Sequence, residues 1–347
     1  MQEIELKFQI PADSLGAVAH EIGQIPGHRR EHLQAHYFDT PDRQLGTARM
    51  ALRLRKEGDV WVQTLKAGGS NTMVRLEDNR PTTAPTSGGP ARVDLNLHQG
   101  VARDALIKAL GWQPDSDPQG RQTPLTELYR TDIWRETARV AVGTNTAHAG
   151  IVELALDLGH ILAGSLSVPV RELEIELVEG DPMAVIEAAR AWVARHQLWL
   201  NTQTKAHRGD HLARQAADCA APSVHTARGQ VKAAPANATL DQAWRNALEN
   251  ALEQITGAMS ELASAPPHAN TTPVVRQWHI GLRRLRRLDH LMVRQGLNFL
   301  HATHQTLPPL LATLRRTQDP ATLARQAAAT VLCLDGLAAL FAPPPQP

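Results

Sequence analysis

The chain has 347 residues, with 36 Lys and Arg against 35 Asp and Glu for a net charge of +1, and 42% of it is hydrophobic. That is enough for real cores in two domains, but no run of about 18 apolar residues occurs, so no membrane span is expected, and the charged opening argues against a secretory leader. Cys219 and Cys333 stand alone without metal-ligand spacing, which fits a reduced, cytoplasmic protein.

At the N-terminus Glu3, Glu5 and Lys7 alternate with Ile4 and Leu6. On a strand this puts three charges on one face and the aliphatics on the other. A solvated strand face carries the same pattern, but here it recurs. Arg53 and Arg55 alternate with Leu52 and Leu54, and Glu172, Glu174 and Glu176 with Leu173, Ile175 and Leu177. Strands with one charged face, opposite in sign from strand to strand, point to a barrel lined with charge. Such an interior holds a metal ion and a polyanion together.

Further along, candidate strands are Ala35–Asp39, Ala51–Glu57, Val60–Leu65, Met73–Glu77, Leu125–Glu136, Arg139–Val142, Ile151–His160 and Val168–Glu179. Turn chemistry at Glu57-Gly58-Asp59 and Ala67-Gly68-Gly69 separates some of them. Helical patterns lie at Ser14–Ile22, Ala102–Leu110 and Met183–His196, the last opened by Asp181-Pro182. Residues 213–237 lose all periodicity and read as a linker between a unit at 1–212 and one at 238–342. The second unit shows helical spacing over Leu240–Leu262, Val274–Arg294, Leu297–Thr317 and Thr322–Phe341, which predicts a four-helix bundle, followed by a tail at 343–347.

Glu3-Ile4-Glu5-Leu6-Lys7 resembles the ExExK signature of the CYTH superfamily, the triphosphate tunnel metalloenzymes. Tyr37-Phe38-Asp39-Thr40-Pro41, Ala51-Leu52-Arg53-Leu54-Arg55, Thr64-Leu65-Lys66, Arg75-Leu76-Glu77, Arg171 to Leu177 and Thr204 to Gly209 follow in the family's order. The resemblance implies an α+β fold: an eight-stranded antiparallel tunnel with flanking helices. It also implies hydrolysis of inorganic triphosphate to pyrophosphate and phosphate with Mg²⁺ or Mn²⁺. Such a substrate carries about four negative charges, which fixed cations and metal must neutralise. Arg53, Arg55, Arg75, Arg130, Lys205 and Arg208 are the expected substrate-binding residues. Lys7, Lys66 and Glu5 are placed at the reaction centre, and Glu3, Glu5, Asp157, Glu172 and Glu174 at the metal. Arg130 and Arg135 are five apart on one strand and cannot both face inward. Of Glu172 and Glu176, one is expected in the site and the other in a structural ion pair.

The segment Arg276 to Arg287 resembles the CHAD domain, a basic helical module that binds polyphosphate and accompanies CYTH domains. Arg276, His279, Arg283, Arg284, Arg286 and Arg287 are the residues the resemblance assigns to polyphosphate. The helical part reads as half of such a module, its groove incomplete or completed by a second subunit in a homodimer. Three other functions stay open on sequence alone. These are thiamine triphosphate hydrolysis, a class IV-type adenylate cyclase, and a polyphosphate-binding module without turnover. Nucleic acid is disfavoured, since Trp278 is the one aromatic residue in the basic stretch.

Overall fold

Charged–aliphatic alternation does form strands, with the charges inside and the aliphatics outside. The computed structural model describes residues 2–68, 73–83, 92–143, 146–218, 233–234, 237–294 and 303–341. In chain order these form β1 (Gln2–Gln9), α1 (Leu15–Gly23), β2 (Arg29–Asp39), α2 (Gln44–Thr47), β3 (Met50–Glu57), β4 (Val60–Gly68), β5 (Val74–Thr82) and α3 (Val101–Leu110). There follow β6 (Thr126–Val142), β7 (Gly150–Ala163), β8 (Leu166–Gly180), α4 (Met183–His196), β9 (Trp199–Leu200) and α5 (Lys205–Asp218). The C-terminal region contributes α6 (Leu240–Ala263), α7 (Thr272–Arg294), α8 (Thr303–Leu314), α9 (Pro320–Ala324) and α10 (Ala327–Phe341).

The strands make one sheet in the order β5-β4-β3-β2-β6-β7-β8-β1-β9. Neighbours pair antiparallel, as short connections such as the Gly58-Asp59 turn require. Gly58 adopts a φ of 59°, which the tight β3–β4 turn needs and glycine supplies without strain. The count differs from the expected eight, because the two residues of β9 add a ninth strand beside β1. Nor is the tunnel closed along its length. β1 meets β5 only over Gln2, Ile4 and the residue between them, then turns to β8 for Glu5–Gln9. The two strands expected at 125–136 and 139–142 are one strand of 17 residues.

Leu52 and Leu65, on the outer face of β3 and β4, are buried with Leu106 of α3 and Trp112. The largest core is continuous from sheet to C-terminus. It joins Leu6, Phe8, Leu154 and Leu173 of the sheet, Ile186 and Trp192 of α4, and Trp244, Leu252, Trp278, Leu282, Leu332 and Leu337 of the C-terminal helices. Three polar contacts fix the same junction. The Leu200 amide donates to Thr330 Oγ1 at 3.1 Å, the Thr202 amide to Ser260 Oγ at 2.8 Å, and Arg190 to Asp335 at 2.7 Å. The C-terminal helices are therefore seated on the sheet.

Among the described residues the C-terminal region has five helices rather than the expected four, since the last is broken between α9 and α10. α5 runs on to Asp218, past the expected end of the first unit at 212. Most of the expected linker, the start of the third expected helix and the tail at 343–347 lie outside the described residues. No helix among those described is long and apolar enough to cross a membrane.

Candidate active site

The charged strand faces surround a cavity of about 1260 Å³. Glu3, Glu5 and Lys7 of β1, Arg53 and Arg55 of β3, Lys66 of β4, Glu77 and Asn79 of β5 and Arg135 of β6 line it. Glu153 and Asp157 of β7, Glu174 and Glu176 of β8 and Lys205 of α5 line it as well. Every second residue of a strand faces the same way, so a strand delivers its charges without interrupting its apolar outer face.

The charges sort into three groups. In the first, Lys205 Nζ lies 2.7 Å from Asp157, 2.7 Å from Glu172 and 2.8 Å from Glu174. Arg135 forks onto Asp157 with two 2.6 Å bonds and reaches Glu174 at 2.6 Å. Arg208 holds Glu172 at 2.5 Å. Burial alone would raise Glu172 and Glu174, but the cations win. Lys205, Lys7 and Arg208 hold Glu172 at about 2, and Lys205, Arg135 and Lys7 keep Glu174 well below the carboxylate range. Ligand oxygens of Asp157, Glu172 and Glu174 lie within 4.8 Å of one another, a spacing that suits a metal ion. The Lys205 ammonium already touches all three.

In the second group the balance is reversed. Glu5 on β1 lies opposite Glu176 on β8, which in turn lies opposite Glu153 on β7. Like charges directly opposite on neighbouring strands repel. Glu3 is beside them, bonded to Lys66 at 3.0 Å, and Glu77 shares that lysine at 2.9 Å. Burial, and then the neighbouring Glu5 and Glu77, push Glu3 up to about 8 even though Lys66 pulls the other way. Burial pushes Glu176 to about 7, with Glu5, Glu77 and Glu153 adding to it against Lys66. Glu77 instead goes down, to about 2: burial opposes this, but Lys66, a hydrogen bond from Glu3, and Arg53 prevail. Here carboxylates outnumber cations.

The third group is cationic. Burial holds Arg55 below its ordinary value, and the nearby Arg53 and Arg135 add to that. Arg55 has one partner in Glu57, at 2.6 Å from Nε. Arg53 donates to the Tyr37 hydroxyl at 3.3 Å, while its Nε is buried with no hydrogen-bond partner. Tyr37 stacks on Tyr129 at 4.6 Å. Burial opposes ionisation of the Tyr37 phenol, yet Arg53, Lys205 and Arg55 hold it below its usual value. Crowded guanidiniums with an unused donor form a site for an anion with several oxygens.

Most of the residues expected from the sequence meet here, but three do not. Arg130 points to the outside of β6, where it pairs with Glu127. Its even position opposes the inward Tyr129, Thr131, Ile133 and Arg135, so Arg135 is the basic residue of this strand in the cavity. Glu172 is fully buried in its ion pairs and does not line the cavity, whereas Glu176 does. Arg208 is spent on Glu172 and the Pro169 carbonyl. The Arg75 side chain lies outside the described residues. Lys7 donates to the Gln203 carbonyl and sits opposite Glu174.

The CYTH domain matches residues 1–209. The chain belongs to the CYTH domain family. One curated CYTH relative, the inorganic triphosphatase of Haemophilus influenzae, is 26% identical over 218 residues, covering 60% of this chain and 54% of that protein. The chain thus matches it over about half of its length. Among solved structures, HpAC1 from Hippeastrum, described as a candidate adenylyl cyclase with a dominant triphosphatase activity, is 18% identical with a TM-score of 0.38. That match covers 57% of this chain and 89% of HpAC1. The PH1012 protein of Pyrococcus horikoshii OT3 is 14% identical with a TM-score of 0.33, covering 58% and 96%. CYTH membership accounts for the tunnel residues up to α5. The C-terminal helices fall beyond residue 209 and outside that match. Four of their residues, Glu253, Thr256, Gly257 and Glu261, nonetheless line the cavity. Nothing in the sequence pointed to them, because helical periodicity says which face is polar and not what it meets.

Proposed function

We propose that this chain is a metal-dependent triphosphatase that converts inorganic triphosphate to pyrophosphate and phosphate. The observation that carries the reading is one cavity holding both the carboxylate row Glu5–Glu176–Glu153 and the guanidiniums of Arg53, Arg55 and Arg135. Anion binding alone needs only the second set. The donor set suits Mg²⁺ or Mn²⁺, since both take hard carboxylate oxygens. Glu3, Glu5 and Glu176, with Glu153 beside them, are the residues that would hold it, since Glu5 faces Glu176 and Glu176 faces Glu153 across neighbouring strands. The cluster at Asp157, Glu172 and Glu174 is served instead by Lys205. A metal bound at the first set supplies charge neutralisation to the phosphate chain and lowers the pKa of water.

The protein's own part is binding and alignment. Arg53 and Arg55 take phosphoryl oxygens, which relieves their mutual repulsion and gives Arg53 Nε its partner. Lys66, bonded to Glu3 and Glu77, would add a positive charge beside the carboxylate row for the phosphate chain. Lys205 and Arg135 hold Asp157 and Glu174 in ion pairs and fix the wall against which the substrate lies. Loose phosphoryl transfer needs no protein nucleophile, so positioning and electrostatics in an enclosed site suffice. The test is substitution in the carboxylate row. Glu5→Gln and Glu176→Gln should each abolish Mg²⁺-dependent phosphate release from inorganic triphosphate while circular dichroism stays unchanged. Full activity in Glu176→Gln would remove the row from the site.

The basic side of α7 supports a second anionic partner, the polyphosphate expected of a CHAD-like module. Arg276, Arg283, Arg284, Arg286 and Arg287 are exposed, and His279 is half-buried among them. Burial, then Arg315 and Arg283, depress the His279 imidazole, and its Nε2 has no hydrogen-bond partner. These residues are not part of the cavity lining, so polyphosphate there would be held outside the reaction site.

A further inference from the structure

Glu253, Thr256, Gly257 and Glu261 of α6 fall at i, i+3, i+4 and i+8, one face of a helix, and that face forms part of the cavity wall. It meets the sheet where Gly46, Arg49, Gly68 and Thr202 also line the cavity, at the ends of strands and the loops joining them. Two contacts pin it there. Arg49 Nη1 lies 2.8 Å from Glu253 Oε1, and Ser260 Oγ accepts from the Thr202 amide at 2.8 Å.

Gly257 lies inside α6, where glycine costs about 1 kcal/mol relative to alanine. Two other glycines of the C-terminal helices have a packing reason. A Cβ on Gly281 would lie 2.8 Å from Ile255 Cγ1, and one on Gly336 2.5 Å from Leu252 Cδ2. A Cβ on Gly257 would meet nothing within 4 Å. Its missing side chain therefore serves no helix contact; it leaves space in the cavity. The charges of this face are also unlike those of the strands. It carries two carboxylates and no cation of its own, whereas the strand wall mixes carboxylates with Arg53, Arg55 and Arg135.

A phosphate chain is drawn to the guanidiniums of the strand wall, while at the helix face Glu253 is already paired with Arg49. The uncharged step at Thr256 and Gly257 is where its end can approach the helix. We infer that α6 is the end-stop of the anion cavity and that Gly257 sets how long a phosphate chain fits. The C-terminal helices are then part of the substrate site. This rests on the reading that the cavity takes a phosphate chain.

The test is a size series, Gly257→Ala, Gly257→Leu and Gly257→Phe, in the full chain. KM and calorimetric Kd are measured for inorganic triphosphate and tetraphosphate, with Tm as the check on folding. Discrimination against tetraphosphate should grow with side-chain size and reach about tenfold, or about 1.4 kcal/mol, at Phe. Should Phe fail to fold, Ala and Leu still give the trend. Constants for both anions that stay equal to wild type across the folded variants would overturn the end-stop. A wild type that binds both anions and hydrolyses neither would overturn the triphosphatase reading instead, and the binding series would still decide the role of Gly257.

Discussion

Arg53, Arg55 and Arg135 are held close together inside one cavity, and Arg53 keeps a buried Nε without a partner. Removing one of them should be felt by the substrate more than by the fold. Arg53→Ala loses a charge-assisted bond of roughly 1.5–3 kcal/mol, so kcat/KM for triphosphate should fall by about 10- to 100-fold, mostly through KM. Arg53→Lys should recover part of it, because charge returns without the fork. Steady-state kinetics decide, and an unchanged KM in Arg53→Ala would place Arg53 outside the binding site. Alternation in the sequence was enough to put Arg53, Arg55, Glu3, Glu5 and Lys7 on inward faces. It was not enough to choose Arg135 over Arg130, because parity is relative until one residue of the strand is anchored. Nor could it choose Glu176 over Glu172, which share a face but differ in whether an ion pair encloses them.

Glu3 and Glu176 also give a pH dependence. Their folded-state values of about 8 and about 7 lie above the ordinary 4.5, so the folded protein binds more protons than the unfolded chain between these limits. Stability of the metal-free protein should therefore fall as pH rises from about 5 to about 8. Glu77 and Glu172, held at about 2, act in the opposite sense, and their contribution is lost only below the ordinary carboxylate value. Metal at the row should reverse the first effect, because ligand binding releases those protons. Tm measured with and without Mg²⁺ should show a larger gain at pH 8 than at pH 5. Equal gains would argue against metal at Glu3 and Glu176.

Among the elements, α7 shows how far helical periodicity reaches. Its buried side of Val274, Trp278, Leu282, Leu285 and Met292 and its exposed basic side were both legible as a 3.6-residue repeat. Asp289, the one acid in that stretch, is buried and bonded to His304 at 2.6 Å, so it does not dilute the exposed charge. Arg283→Glu combined with Arg286→Glu should reduce retention on immobilised polyphosphate at least tenfold while sparing triphosphate turnover, since neither residue lines the cavity. Undiminished retention would remove α7 as the binding element. α5 was not legible as a helix. Lys205, His207, Arg208, Asp210, His211 and Arg214 leave it few apolar positions. It is held by Leu212 and Ala213 packed with Tyr37 and Tyr129, and by ion pairs into the sheet. β9 owes its existence to tertiary pairing with β1 over two residues, for which no local pattern exists.

At the scale of the whole molecule, composition and the change of periodicity after residue 240 separated a β-rich part from a helical part. They could not show that the two share a core, because a buried face looks alike whether it meets its own unit or another. Trp192 of α4 and Leu332 and Leu337 of α10 belong to one apolar cluster, and α6 reaches through to the cavity. The chain is built as a charged interior clad in apolar surface, with helices covering the outside of the sheet and one end of its cavity. We propose that the carboxylate row and the guanidiniums together turn over a triphosphate with metal. The direct measurement is phosphate release from inorganic triphosphate by the full chain in Mg²⁺, in Mn²⁺ and in EDTA. Release that depends on either metal and stops in EDTA is the predicted result. No release with either metal, or release that EDTA leaves untouched, would contradict it.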